Sequence, residues 1–258
     1  WTPAFEGATI RNLYPGRSGL QGILAVYLYE CGYTGLNDGP TDVLRTLLGS
    51  GLDTEDVVLG LGDRYRIQQG YFKFHACCRY NHPALDAVLK LHDEEQFAPE
   101  DVEKVDIATI PMPTGMVGDY PENMLGAKFS VPYAVAAAIV RGTTDISAFY
   151  PEAMGDERIR EMAKKVRVEM DPEMSLRRDG HPTAVVSVGL GDGRVLSRTT
   201  NAIRGDAENP VSYEDLVSKF RSLTTDVLGI NRTEVVVEMI ASIENLSDVR
   251  KLTTLLGV

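Results

Sequence analysis

His82 to Pro111 reads HPALDAVLKLHDEEQFAPEDVEKVDIATIP, and within it the periodicity of the chain changes. Pro83 stands at an early helical position, where its missing amide hydrogen costs nothing, and Leu85, Val88, Leu89 and Leu91 follow at helical spacing. From Val102 the pattern alternates, and the Val105, Ile107 face predicts a strand. Helical segments on one side of this switch and mixed segments on the other predict a helical part followed by an α+β part.

Working outward, LQGILAVYLYECGYTG places Leu20, Ile23, Leu24, Val26, Tyr27 and Leu28 around so much of a helix that it should be largely buried, ending at Gly32. GPTDVLRTLLGSG and DTEDVVLGLGD predict short helices opened by Thr41 and by Asp53 or Thr54. Downstream, AKFSVPYAVAAAIVRG reads as an Ala-rich helix closed by Gly142, and DERIREMAKKVRVEMDPE as a helix running into a strand at Val166 to Met170. TAVVSVGLGDGRVLSRTTNAI is the clearest unit, two β-rich runs joined at an Asp-Gly hairpin signal. The tail returns to helices in SYEDLVSKFRSLTTDVLG, TEVVVEMIASIEN and SDVRKLTTLLG, each with a Ser or Thr start. No internal repeat or low-complexity linker interrupts the chain.

At 258 residues the chain can bury a real core. Its 26 Lys and Arg against 37 Asp and Glu give a net charge of −11, which disfavours nucleic acid and anionic membrane as partners but leaves room for a local cationic pocket. The longest apolar run, VPYAVAAAIV, is far short of the roughly 20 residues of a membrane span. WTPAFEGATIRNLYPG has neither a basic nor an apolar signal region, so it is not expected to be a signal peptide. Three cysteines do not make a disulfide framework, so a reducing, cytoplasmic setting is the expectation.

Chemistry-bearing residues crowd into Lys73 to His82, KFHACCRYNH. Zinc ligands come at C-x2-4-C or H-x3-5-H spacings, and the adjacent Cys77 and Cys78 fit neither those nor a CxxC redox pair. Both read as small apolar fillers. That leaves Lys73, His75, Arg79 and His82, with no metal called for.

The blocks RNLYPGRSGLQGILAVYLYECGYTGLNDG, YFKFHACCRYNHPALDAVLKL, GAKFSVPYAVAAAIVRG, VVSVGLGDGRVLSR, NPVSYEDLVSKF and IENLSDVRKL, in this order, resemble the MmgE/PrpD family over nearly the whole chain. That family includes 2-methylcitrate dehydratase, cis-aconitate decarboxylase and iminodisuccinate epimerase. The resemblance implies a mostly α fold with an inserted α+β domain: residues 1–70 as part of an all-helical domain, 71–204 as a smaller α+β lid, and 205–258 as the C-terminal helices of the first domain. It also implies a preceding helical segment that contributes an Asp and a His to the site.

Small di- and tricarboxylates, the family's substrates, need cations to hold them and a proton donor and acceptor beside the carbon α to a carboxylate. In the family pattern, approximately K-P-Y-P-C-C-R-x-x-H, Lys73 takes the lysine place and His82 the final histidine. His75 and Ala76 depart from it, where Tyr and Pro are common. Arg11 matches a lysine of several members and keeps the charge for anchoring a carboxylate, although not a role as base. Tyr133 corresponds to a pocket tyrosine, with Lys128 and Ser130 before it as weaker candidates. Each has a plain alternative: a solvated Lys73, a helix-capping His82, a core Tyr133, a surface Arg79, and Gly16, Gly19 and Gly22 serving helix packing. The expectation is a lyase of the 2-methylcitrate dehydratase type without cofactor or metal, with Lys73, His82 and Tyr133 catalytic, Arg11 and Lys73 binding substrate, and a homodimer as the assembly. An epimerase or decarboxylase of the same family, or a non-catalytic binding module, are the alternatives.

Overall fold

In the computed structural model residues 2–48, 53–118, 120–177 and 183–257 are described, and they divide between Gly70 and Tyr71 into two units.

The N-terminal unit is helical. Its long helix α1 (Tyr14–Glu30) carries Pro15 in its first turn and gives way at Gly32, which takes φ +92°. Helix α2 (Gly39–Leu48) follows, with the Asp38 carboxylate accepting from the Thr41 amide at 3.2 Å, so Asp38 rather than Thr41 opens it. A turn of helix at Thr54–Val58 is capped by Asp53, which accepts from the Glu55 and Asp56 amides. The expected burial of α1 is not found. None of its residues is buried, and Leu20 and Ile23 are 65% and 60% exposed. A Cβ on Gly16, Gly19 or Gly22 would meet nothing within 4 Å, so the packing reading of these glycines has no neighbour to rest on among the described residues. Apolar residues around a helix signal a buried helix only where something stands against them.

The second unit is α/β in content. Helix α3 (His82–Glu95) leads to β1 (Val102–Thr109), then to α4 (Val131–Arg141), α5 (Glu157–Lys164), β2 (Val166–Met170), β3 (Ala184–Leu190) and β4 (Val195–Thr200). The four strands form one sheet in the order β2-β1-β3-β4, with β1 and β2 parallel and the other pairs antiparallel. A parallel pair needs a crossover, and α4 and α5 supply it. Strand β1 slips register between Val102 and Lys104, which lets Val102 and Val105, three apart, both point into the core. The hairpin at Asp192-Gly193 forms as its sequence predicts, with Gly193 at φ +88°.

Helix α4 is the centre of this unit. Ala134 to Ala138 are fully buried between α3, α5 and β2, and the absence of side chains beyond Cβ at four of these five positions lets neighbours approach closely. Gly142 closes the helix at φ +66°. Ser130 is its N-cap, accepting from the Tyr133 amide at 3.2 Å, so Lys128 and Ser130 lie before the helix rather than on it.

Three tail helices complete the chain: α6 (Tyr213–Leu228), α7 (Ile230–Ala241) and α8 (Arg250–Leu256). Ser212 and Asp215 make a reciprocal capping box at α6, as its Ser start predicts. The other two starts differ. Helix α7 begins after Gly229, leaving Thr233 buried inside it, and at α8 the Asp248 carboxylate, not Ser247, accepts from the Arg250 amide. The result is a mostly helical fold carrying a mixed β-sheet. No helix among the described residues is long and apolar enough to cross a membrane.

Candidate functional site

The segment Phe72–Cys78 has no regular structure of its own and is held by three others. The Phe72 amide donates to the Gly205 carbonyl at 3.0 Å, the Ala76 amide to Thr144 at 2.9 Å, and the Cys78 amide to Lys128 at 2.7 Å. Gly205 is obligatory at the first contact. It takes φ +95°, and a Cβ there would stand 2.2 Å from the Phe72 carbonyl oxygen.

These contacts fix three lysines around one place. Lys73 is exposed between Phe72 and Phe74, Lys128 is half-buried on the loop bonded to Cys78, and Lys219 reaches from α6 to put its ammonium 6.0 Å from the Phe74 ring centroid. Arg204 stacks on the same ring at 4.4 Å. Burial lowers the pKa of Lys128 and of Lys219, the charge of Lys73 lowers each further, and the more distant Asp145 carboxylate partly offsets this at Lys219. No carboxylate among the described residues makes a salt bridge to any of the three.

His82 lies beneath, fully buried at the start of α3. Its Nε2 is 3.3 Å from the Cys77 carbonyl oxygen, which can only accept, so Nε2 carries the proton and Nδ1 is a bare acceptor. Nδ1 and the neighbouring Asn81 Oδ1 are both buried acceptors with no hydrogen-bonding partner. Burial, then the nearby His75, Lys73 and Arg79, push His82 down to about 3, so the ring is neutral at physiological pH. Burial also raises the Cys77 thiol, which stays protonated and matches the filler reading.

His75, the departure from the family pattern, is locked from both sides. Its Nε2 donates to Asp86 Oδ1 at 2.9 Å and its Nδ1 lies 2.5 Å from the Thr144 hydroxyl. The ring stands edge-on to His82 with centroids 4.8 Å apart. His75 and Asp86 also line a cavity of about 610 Å³ with Lys90, Arg198, Arg204 and Asp215.

Tyr133 points elsewhere. Its side chain is fully buried, its hydroxyl donates to the Ala148 carbonyl at 2.7 Å, and burial raises its pKa. With Tyr120, Ser130, Arg160 and Lys164 it lines a cavity of about 480 Å³ whose lining does not include Lys73. Structure therefore brings Lys73 together with His82 and Lys128, and it brings in Lys219. Tyr133 lines a second place, and its hydroxyl is held by the Ala148 carbonyl. Arg79 is no bare surface charge: its guanidinium pairs with Asp206 at 2.8 Å and covers the Tyr71 ring at 3.7 Å. Arg11 lies in the N-terminal unit, half-exposed in the one-turn helix Thr9–Leu13. Among the described residues no three of His, Cys, Asp and Glu come together as a metal site.

Sequence reasoning missed Lys219 and Asp86. Lys219 sits inside the quoted block NPVSYEDLVSKF and Asp86 inside HPALDAVLKL, but a lysine on an amphipathic helix and an aspartate in its second turn carry no mark of what they will face.

The chain is 24% identical to cis-aconitate decarboxylase of Mus musculus over 98% of its own length and 54% of the relative's. It is 27% identical to the Homo sapiens enzyme of that name over 63% of its length and 34% of the relative's. To cis-aconitate decarboxylase of Aspergillus terreus it is 23% identical, over 79% and 44%. The chain thus spans about half, or less, of the curated relatives it matches. Residues 75–245, which hold His75, His82, Lys128, Tyr133 and Lys219, match the family model described as the MmgE/PrpD C-terminal domain, and the chain belongs to the MmgE/PrpD family.

Proposed function

We propose that this chain is part of a lyase of the MmgE/PrpD type that acts on a small di- or tricarboxylate. The observation that carries the reading is the grouping of Lys73 and Lys128 above the buried His82, with no carboxylate among the described residues bridged to either lysine, in a chain of net charge −11. Such a place attracts an anion and offers its carboxylates ammonium donors. Lys73 and Lys128 hold carboxylates, with Arg11 as a further anchor. The base that takes a proton from carbon is sought outside the described residues, because His82 at about 3 is too weak a base for that step. Residues 1–70 and 205–258 are read as parts of an all-helical domain and 71–204 as its α+β lid, in a cytoplasmic homodimer.

Two chemistries suit such a place. In decarboxylation the bond to a departing carboxylate breaks, its electron pair stays on carbon, CO2 leaves, and a proton is added to carbon. In dehydration the α-proton goes to a base, the β-hydroxyl leaves as water after protonation, and a double bond forms. The names of the relatives favour decarboxylation of a cis-aconitate-like tricarboxylate; dehydration of the 2-methylcitrate type is the second reading. Tyr133 serves either as a proton donor only if its hydroxyl leaves the Ala148 carbonyl.

The test is to incubate the full natural protein containing this chain with cis-aconitate, 2-methylcitrate and iminodisuccinate, following CO2, alkene absorbance and optical rotation. CO2 from cis-aconitate, abolished by Lys73→Met with the fold intact, supports the first reading. Alkene formation from 2-methylcitrate supports the second. Rotation changes with iminodisuccinate alone would make it an epimerase, and turnover of none would overturn the enzymatic reading.

A further inference from the structure

Three ammonium groups grouped with no salt bridge to a carboxylate among the described residues are costly in themselves. Each repels the others, and two of them are half-buried, so water screens them less than it screens lysines on an open surface. The charge composition makes this notable: acidic residues outnumber basic ones, 37 to 26, and could have supplied a partner. Arginines of the same unit, Arg204 on the Phe74 ring included, have theirs, as Arg79 with Asp206, Arg204 with Asp215 and Arg221 with Glu234 show. The lysines also come from three separate segments, fixed by the Phe72 to Gly205 bond, the Cys78 to Lys128 bond and the reach of Lys219 over Phe74. Lys219 has no role in the reaction as read above.

We propose that Lys219 is a specificity-determining residue: it binds the carboxylate farthest from the reacting carbon, so that the site distinguishes tricarboxylates from dicarboxylates. Lys73 and Lys128 serve the carboxylates that both classes share. Lys219, on a different element, serves the third. The proposal rests on the polycarboxylate reading of this site and adds to it which side chain counts the carboxylates. A lysine suits this use, being a point charge on a long stem that accepts a carboxylate from several directions.

The experiment measures binding separately from turnover, by calorimetry on the full natural protein with citrate and with malate, and kinetics with whichever tricarboxylate is turned over. Lys219→Met should weaken citrate about 10-fold or more, the loss of one charge-assisted bond, while leaving malate unchanged. In kinetics it should raise KM for the tricarboxylate with kcat nearly constant, since the distant carboxylate is held equally before and during reaction. Lys219→Arg should restore most of the citrate affinity. Lys251→Met, at an exposed lysine of α8, should change nothing. Equal weakening of citrate and malate, or no change in either, overturns the proposal, as does wild-type protein that binds neither. Selective citrate weakening in a protein that turns over nothing upholds it while sinking the lyase reading. Turnover indifferent to Lys219→Met sinks it while leaving that reading intact.

Discussion

His82 is neutral because charging it inside the protein, beneath Lys73, Arg79 and His75, is unfavourable, and this has a consequence for stability. Its pKa is about 3 folded against an ordinary 6.5. The unfolded chain therefore binds a proton first as pH falls. Its contribution to stability is fully present above about 6.5 and is lost progressively down to about 3. Comparing His82→Asn with wild type removes the titration while leaving the carboxylates to titrate alike in both. Chemical unfolding should show wild type losing roughly tenfold more in folding constant than the variant between about pH 6.5 and pH 5. Parallel pH profiles would mean that His82 is protonated in the folded protein. At this scale the sequence was half legible: His82 and Lys73 stood out through the family pattern, while Lys219, Asp86 and the partner of Arg79 depend on what folding places opposite them.

Among the elements, the connection at Gly205 has more influence than its lack of a side chain suggests. Two glycines, Gly193 and Gly205, share a left-handed backbone at φ +88° and φ +95°, but only Gly205 has a neighbour in the way, the Phe72 carbonyl at 2.2 Å from its would-be Cβ. Gly193→Ala should therefore cost about 1 kcal/mol, the strain of the dihedral. Gly205→Ala should cost roughly 3 kcal/mol or more, because backbone must also move, and it should displace the segment that carries Lys73. Scanning calorimetry on both variants separates the two; equal melting temperatures would mean that the Phe72 contact yields easily. Element types were readable wherever local pattern decided them, as in the Asp192-Gly193 hairpin, the αL stop at Gly142 and the Ser212 capping box. The starts of α7 and α8 were not, because the Thr and Ser nearby point to a start without fixing it. Nor was the parallel pairing of β1 with β2, which joins strands more than fifty residues apart in sequence through contacts that neither strand encodes alone.

Across the whole molecule, the two units are unequal in what holds them. Ala4 is the single buried apolar residue described before Gly70, whereas the core from Cys77 to Leu252 includes Leu85, Val105, Ile107, Tyr133, Phe149 and Val186 at or near zero exposure. Folding free energy is a small difference between burial and chain entropy, and each ordered residue costs about 1–2 kcal/mol in backbone entropy alone. A helical segment that buries almost nothing cannot meet that cost, whatever the helix propensity of α1, since isolated helices of about 15 residues are marginal in water. Residues 71–258 expressed alone should then show a cooperative transition carried by the sheet and α4, and residues 1–70 alone should show weak helicity that declines gradually with temperature. Circular dichroism on the two fragments checks both halves. A sharp transition in residues 1–70 would require a core that the exposed Leu20, Ile23, Leu24 and Tyr27 do not provide, and a gradual one in residues 71–258 would mean that the sheet and α4 need the first unit to fold.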